Sequence, residues 1–142
     1  MLAVPVAILL TACSAPRPDP SLHRFDGTYR GSATPATGNN PNCDGDTKRV
    51  HVVVSDGRAE VPSRHRHRRM DGTVDAEGQI TLREYSGDRV LNGHIAGDAL
   101  TGTEMEGGSP HGVTARVRAG AGSCTYWVQA TRTAGSATKP SD

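Results

Sequence analysis

The segment Arg64–Arg69 has the densest group of basic side chains in the chain, with four arginines and two histidines in six residues. Arginine guanidinium groups bind phosphate or carboxylate oxygens in pairs, so Arg64, Arg66, Arg68 and Arg69 predict an anion-binding loop. Histidines at positions i and i+2 lie on one face of an extended segment and suit Zn²⁺ or Cu²⁺. The adjacent arginines would repel a cation, so we predict no metal here. A solvated basic turn explains the same residues and is the favoured interpretation.

A second candidate is Asn40–Asp46, which has oxygen ligands at alternate positions and a glycine at the sixth, as in a calcium-binding loop. The twelfth position holds His51 instead of glutamate, and no flanking helices are predicted. Asparagine and aspartate before a strand are typical of turns. We therefore predict a turn and no bound metal or other cofactor.

Catalytic groups are scattered along the chain. Gly122-Ser123-Cys124 is not a nucleophile elbow, and no local signature connects His51, His94 or His111 to a serine or a carboxylate. Glu104 and Glu106 share one strand face and could form a carboxylate pair, although a solvated face explains them equally well. We predict that the protein is not an enzyme.

The elements that position these residues are predicted to be antiparallel strands. Turn signals such as Asp56-Gly57 and Gly97-Asp98 recur about every ten residues, and apolar residues alternate between them, as in Val50, Val52 and Val54. The fold class is therefore all-β: an up-and-down meander that forms a small barrel or a strongly curled sheet of about eight strands. The nine candidate segments are 25–34, 48–55, 58–63, 68–75, 79–85, 89–96, 99–106, 113–119 and 124–132.

The N-terminal residues predict export. The apolar run Leu2–Leu10 is too short to span a bilayer, and Leu10-Thr11-Ala12-Cys13 follows the small-residue pattern of a cleavage site. This stretch resembles the lipobox of bacterial lipoproteins. The resemblance implies that residues 1–12 are a signal peptide and that Cys13 carries the lipid. No Lys or Arg precedes Leu2, so either the true start lies upstream of Met1 or the signal is weak. An ordinary secretory signal with a chance cysteine near its cleavage site is the alternative.

The rest of the chain then divides into a Pro-rich tether at 13–24, a β domain at 25–133 and a disordered tail at 134–142. If Cys13 is lipidated, Cys43 and Cys124 remain as a pair in an oxidising compartment, which predicts a disulfide. Cys43 precedes the second predicted strand and Cys124 begins the last. A direct bridge between them therefore favours an even number of strands.

The segment Phe25–Gly31, the hairpins punctuated by glycine and the final Cys124-Thr125-Tyr126-Trp127 resemble small β-rich lipoproteins of Gram-negative bacteria with no assigned function. The architecture is also similar to avidin-like and lipocalin-like barrels, but their ligand-contacting residues have no match here. The lipoprotein resemblance and Ser14 after the cysteine imply an outer-membrane location facing the periplasm.

Functional expectations follow from these features. A net charge of +1 argues against nucleic acid as a partner. The expected function is a structural or interaction role in the envelope, with anionic lipid or an envelope protein as partner. The alternatives are a small apolar ligand inside the barrel, and lipid or lipopolysaccharide headgroups bound by Arg64–Arg69. Only one Phe, three Tyr and one Trp are present. This low aromatic content favours a filled interior and ranks interaction above ligand binding.

Overall fold

The fold is a closed antiparallel β-barrel. The computed structural model describes residues 19–39, 41, 43–107 and 123–133. Eight strands follow one another around the barrel in chain order, and β1 pairs with β8 to close it. They are β1 (Gly27–Pro35), β2 (Lys48–Ser55), β3 (Arg58–Val61), β4 (Met70–Val74), β5 (Gln79–Glu84), β6 (Arg89–Ala96), β7 (Ala99–Glu106) and β8 (Cys124–Thr133). The predicted fold class is confirmed.

The number of strands is even, as the predicted bridge between Cys43 and Cys124 favours. Strand β7 pairs directly with β8 from Ala99↔Thr131 to Glu106↔Cys124. The predicted strand at 113–119 lies outside the described residues. The weakest prediction, 58–63, is a short strand that ends at Val61, because Pro62 cannot donate a ladder hydrogen bond.

Alternation places the core inside the barrel. Side chains at every second position of each strand face inward, and all eight strands contribute to one buried cluster. Its largest fully buried side chains are Tyr29, Tyr126, Met70, Ile80, Leu82, Leu91, Ile95, Leu100, Val52 and Val128. A barrel of eight strands is just wide enough for side chains to fill it. The prediction of a filled interior therefore agrees with this packing, which does not favour a ligand inside the barrel.

The two ends of the barrel differ. The helix end carries the N-terminal 3₁₀ helix Pro20–Phe25 and the short turns between β2 and β3, β4 and β5, and β6 and β7. The loop end carries segment 36–47 before β2, segment 62–69 between β3 and β4, and the turn between β5 and β6. β7 also ends there and β8 begins there.

The N-terminal helix is a difference from the sequence prediction. We expected an extended tether as far as residue 24, but the chain from Pro20 is helical. Pro20 occupies the start of the helix, where a missing N–H is harmless, and the Asp19 carboxylate accepts a hydrogen bond from the Ser21 amide at 2.9 Å. Phe25 is 5% exposed and covers this end of the core. Residues 13–18 and the tail 134–142 lie outside the described residues.

Within the described residues, no helix has the length and apolar composition that crossing a membrane requires.

Candidate functional site

The loop end carries a group of charged side chains that begin inside the barrel. Leu82 is buried on β5, and Glu84, two residues further on, faces the same way and is 9% exposed. On β7 the same period places Glu104 inward, where it is 3% exposed. The alternation of inward-facing side chains thus continues past the apolar core toward the loop end. The inward positions there are occupied by the carboxylates of Glu84 and Glu104.

Cations from β6 and β2 pair with the carboxylates at this end of the barrel. Arg89, at the start of β6, places Nη2 2.7 Å from Glu104 Oε1 and Nε 3.2 Å from Glu106 Oε1. Lys48, at the start of β2, donates to both oxygens of Glu106 at 2.8 Å. Ser86 Oγ donates to Glu84 at 2.7 Å. We call Lys48, Glu84, Arg89, Glu104 and Glu106 the ionic cluster.

The pKa values of Glu104 and Glu106, two glutamates of the ionic cluster, are shifted in opposite directions. Burial raises the pKa of Glu104, and the ion pair with Arg89 only partly offsets it. Glu106 also loses hydration, but the hydrogen bond from Lys48 and the adjacent cations hold its pKa below the usual value. The predicted carboxylate pair on one face of β7 is therefore present. Each member also has a cationic partner, so the pair belongs to an ion network that closes the barrel end.

A cavity of about 480 Å³ opens beside the ionic cluster. Its lining is polar: Arg68, Glu84, Ser86, Asp88, Arg89, Glu106 and Gly107. Arg68 belongs to the basic segment, defined as Arg64–Arg69, so the two features meet at the rim of this cavity.

The basic segment connects β3 to β4 at the loop end, as the turn spacing predicts. Arg69 pairs with Glu60 at 2.5 Å and with Asp71 at 2.9 Å, so it lies against the wall of the barrel. The Arg66 guanidinium lies 5.8 Å from the centre of the exposed Tyr85 ring. Arg64 and Arg68 are also exposed. Three of the four predicted anion-binding arginines therefore face solvent, and Arg69 is engaged within the fold.

The predicted disulfide is confirmed. Cys43 and Cys124 are bridged, with their Cα atoms 5.6 Å apart and 81 positions apart in sequence. The bridge fastens segment 36–47 to the start of β8. The Asn39 side chain supports it by donating to the Thr125 carbonyl at 2.7 Å and accepting from the Thr125 amide at 3.0 Å.

The calcium-like segment has the hydrogen bonding of a turn. Asp44 Oδ1 accepts from the Asp46 amide at 3.0 Å, and the Asp44 carbonyl accepts from Tyr126 at 3.2 Å. Asn40 and Asn42 lie outside the described residues. His51, the twelfth position, is on β2 between the inward-facing Val50 and Val52 and so points away from the core.

Among the described residues, the scattered histidine and cysteine candidates do not form one site. His51 and His94 lie on the outer faces of β2 and β6, and Cys124 is in the disulfide. His111 and the predicted lipidation site Cys13 lie outside the described residues.

A cluster that the sequence analysis missed lies at the helix end. His23 Nδ1 is 3.0 Å from Asp26 Oδ2 and 3.0 Å from Asp56 Oδ1. The hydrogen bond with Asp26 raises the pKa of His23, and the charge of Asp56 adds to this effect. Asp56 is 30 positions from Asp26, and only the topology brings its turn against the N-terminal helix. The spacing His23-x-x-Asp26, where the predicted tether meets the first predicted strand, is the one local signal.

A shallow cleft of about 530 Å³ lies on the outer wall over β5–β8. Trp127, which is 56% exposed, borders it together with Asn92, Gln129 and the backbone of Gly93 and Gly102. The residues that line it include no carboxylate, lysine or arginine, in contrast to the ionic cluster.

No protein-family model, no curated protein and no solved structure matches this chain. The function must therefore be argued from the residues themselves.

Proposed function

We propose that this protein is a non-enzymatic, lipid-anchored component of the Gram-negative envelope with an interaction role. In this proposal, Cys13 holds the chain in the outer membrane on its periplasmic side. The basic segment then contacts an anionic surface that faces this membrane. The lipid attachment is supported by the sequence Leu10-Thr11-Ala12-Cys13 that precedes the described residues.

One observation carries the interaction role: the N-terminal helix and the basic segment occupy opposite ends of the barrel. A strand of eight residues at ~3.3 Å per residue, tilted by about 40°, separates the two ends by roughly 20 Å. A lipid at Cys13, six residues before Asp19, would therefore attach to the chain nearest the end of the barrel opposite Arg64, Arg66 and Arg68. This arrangement suits a protein that links its membrane to a second surface.

The partner chemistry follows from the arginines. Arg64, Arg66 and Arg68 are exposed within one loop, and guanidinium groups bind phosphate oxygens bidentately. Phosphate-bearing headgroups therefore fit this loop better than a neutral ligand does. The buried cluster of apolar side chains within the barrel gives the alternative, a small apolar ligand, no comparable support.

Flotation with vesicles tests the interaction role. A chain starting at Ser14, mixed with vesicles of phosphatidylglycerol, should float with them at low salt and dissociate as the salt rises. Replacing Arg64, Arg66 and Arg68 by Gln should abolish binding. Replacing Arg30, Arg49 and Arg83, which are exposed on the barrel wall, removes the same charge elsewhere and should leave binding in place.

The control variant distinguishes binding by the basic segment from binding that depends only on the net charge of the protein. Equal loss of binding in both triple variants would mean that only net charge matters, and no binding by the unmodified chain would refute the proposal.

Lipid attachment is tested separately: cells fed a labelled fatty acid should label the protein but not the Cys13→Ala variant. Label retained in that variant would contradict lipidation at Cys13.

A further inference from the structure

Three side chains from two distant segments converge at the helix end. His23 belongs to the N-terminal helix, Asp26 follows that helix, and Asp56 lies in the turn between β2 and β3. Their ligand atoms all lie within 4.8 Å of one another, and His23 Nδ1 is 3.0 Å from an oxygen of each carboxylate.

We propose that His23, Asp26 and Asp56 bind a divalent transition-metal ion, with Zn²⁺ the best fit, and that this ion fastens the N-terminal helix to the barrel. Bonds of about 2.0–2.2 Å in tetrahedral geometry separate neighbouring ligand atoms by roughly 3.3–3.5 Å. The two nitrogen–oxygen distances need to lengthen by only a few tenths of an ångström to meet that geometry. An imidazole ligand favours zinc over Ca²⁺ or Mg²⁺, which prefer oxygen.

The two carboxylates are oriented before any ion enters. Asp26 Oδ1 accepts a hydrogen bond from the Asp56 amide at 2.9 Å, which leaves Oδ2 directed at His23. Asp56 has a φ of 52° and Gly57 a φ of 73°, so both central residues of this tight turn are left-handed. Hydrogen bonds behind the ligands fix their direction, as they do in established metal sites.

Charge also favours a cation. A neutral imidazole and two carboxylates carry a net charge of −2, which a divalent ion would neutralise. The neighbouring arginine side chains do not pair with these carboxylates in the contacts seen: Arg24 donates to the Ala76 carbonyl, and Arg132 pairs with the Asp98 carboxylate at 2.6 Å and donates to the backbone carbonyl of Asp26 at 3.1 Å. One N–H of His23 can serve only one of the two carboxylates well, whereas an ion at that position would serve both.

The cluster is accessible to an ion from solution. The side chains of His23 and Asp56 are each 54% exposed, and that of Asp26 is 33% exposed. Water can therefore supply the fourth ligand. The site is at the opposite end of the barrel from His65 and His67 of the basic segment.

Competition against a zinc-chelating indicator tests the proposal. The purified full chain in detergent, carrying Cys13→Ser so that no free thiol competes, should bind one zinc ion. His23→Ala and Asp56→Asn should each weaken the affinity at least tenfold. The His65→Ala/His67→Ala variant is the matched control and should bind as tightly as the parent chain. Co²⁺ in the same site should show the intense visible absorption of tetrahedral coordination.

Thermal melting distinguishes a variant that has lost the zinc site from one that has failed to fold. Without metal, Asp56→Asn should melt close to the parent chain. Zinc should raise the melting temperature of the parent but not that of Asp56→Asn, and Mg²⁺ should raise neither. Zinc binding that survives His23→Ala, or that disappears with His65 and His67, would overturn the assignment. So would the absence of zinc binding by the parent chain.

Discussion

The two ends of this barrel close the same core by different means. At the helix end, Phe25 lies over the interior, and its carbonyl accepts a hydrogen bond from the buried Tyr29 hydroxyl at 2.8 Å. At the loop end, Glu104 and Arg89 occupy the equivalent place with an ion pair. Apolar closure depends little on pH or salt, whereas ionic closure depends on both. The ionic closure at the loop end is therefore expected to respond more to pH and salt than the apolar closure by Phe25.

The loop end has one further support, the disulfide, and its loss is the largest effect that we expect. Replacing Cys43 and Cys124 by Ser should lower the free energy of unfolding by about 4–5 kcal/mol, because the bridge closes a long loop in the unfolded chain. Urea denaturation measures the change. Reduction of the parent chain should reproduce it, and a loss below about 1 kcal/mol would show that the loop end holds its fold without the bridge.

The disulfide was predictable because Cys43 and Cys124 are the only cysteines left once Cys13 is assigned to the lipid in an oxidising compartment. The strands were also predictable, since alternation such as Val50, Val52 and Val54 is a local signal. The burial of Glu104 was not. Alternation tells which way a side chain faces, but not how far along the strand the neighbouring strands cover it. The contact of His23 with Asp56 also required the tertiary structure, because it joins segments that no local pattern relates.

The second effect concerns the apolar closure at the helix end. Phe25→Ala should destabilise the protein by about 3–4 kcal/mol, since it removes a buried ring that also packs near Gly78. Tyr85→Ala at the loop end is the matched control. That ring is 80% exposed, so its removal should change the stability by no more than about 0.5 kcal/mol. Equal losses in the two variants, measured by urea denaturation, would contradict a stabilising role for the buried Phe25 ring at the helix end.

The smallest effect is a dependence on pH that resides at the loop end. The pKa of Glu106 is lowered in the folded state from its ordinary value of 4.5, so its ionised form stabilises the fold above that value. This contribution is lost as the pH falls through the folded pKa. Glu106→Gln should therefore cost about 1 kcal/mol at pH 7 and progressively less as the pH falls through the folded pKa, because Lys48 loses its partner only where Glu106 is charged.

Glu104, two residues away, should behave in the opposite sense. Its pKa is raised in the folded state, so its contribution to stability is full below pH 4.5 and is lost as the pH rises through the folded pKa. Glu104→Gln imitates the protonated form and should keep that stability at pH 7, so it should destabilise the protein less than Glu106→Gln does. Urea midpoints of both variants between pH 3 and 7 measure the difference. If both variants lost stability in parallel, burial would not distinguish the two carboxylates, and the loop end would be a uniformly solvated ion network.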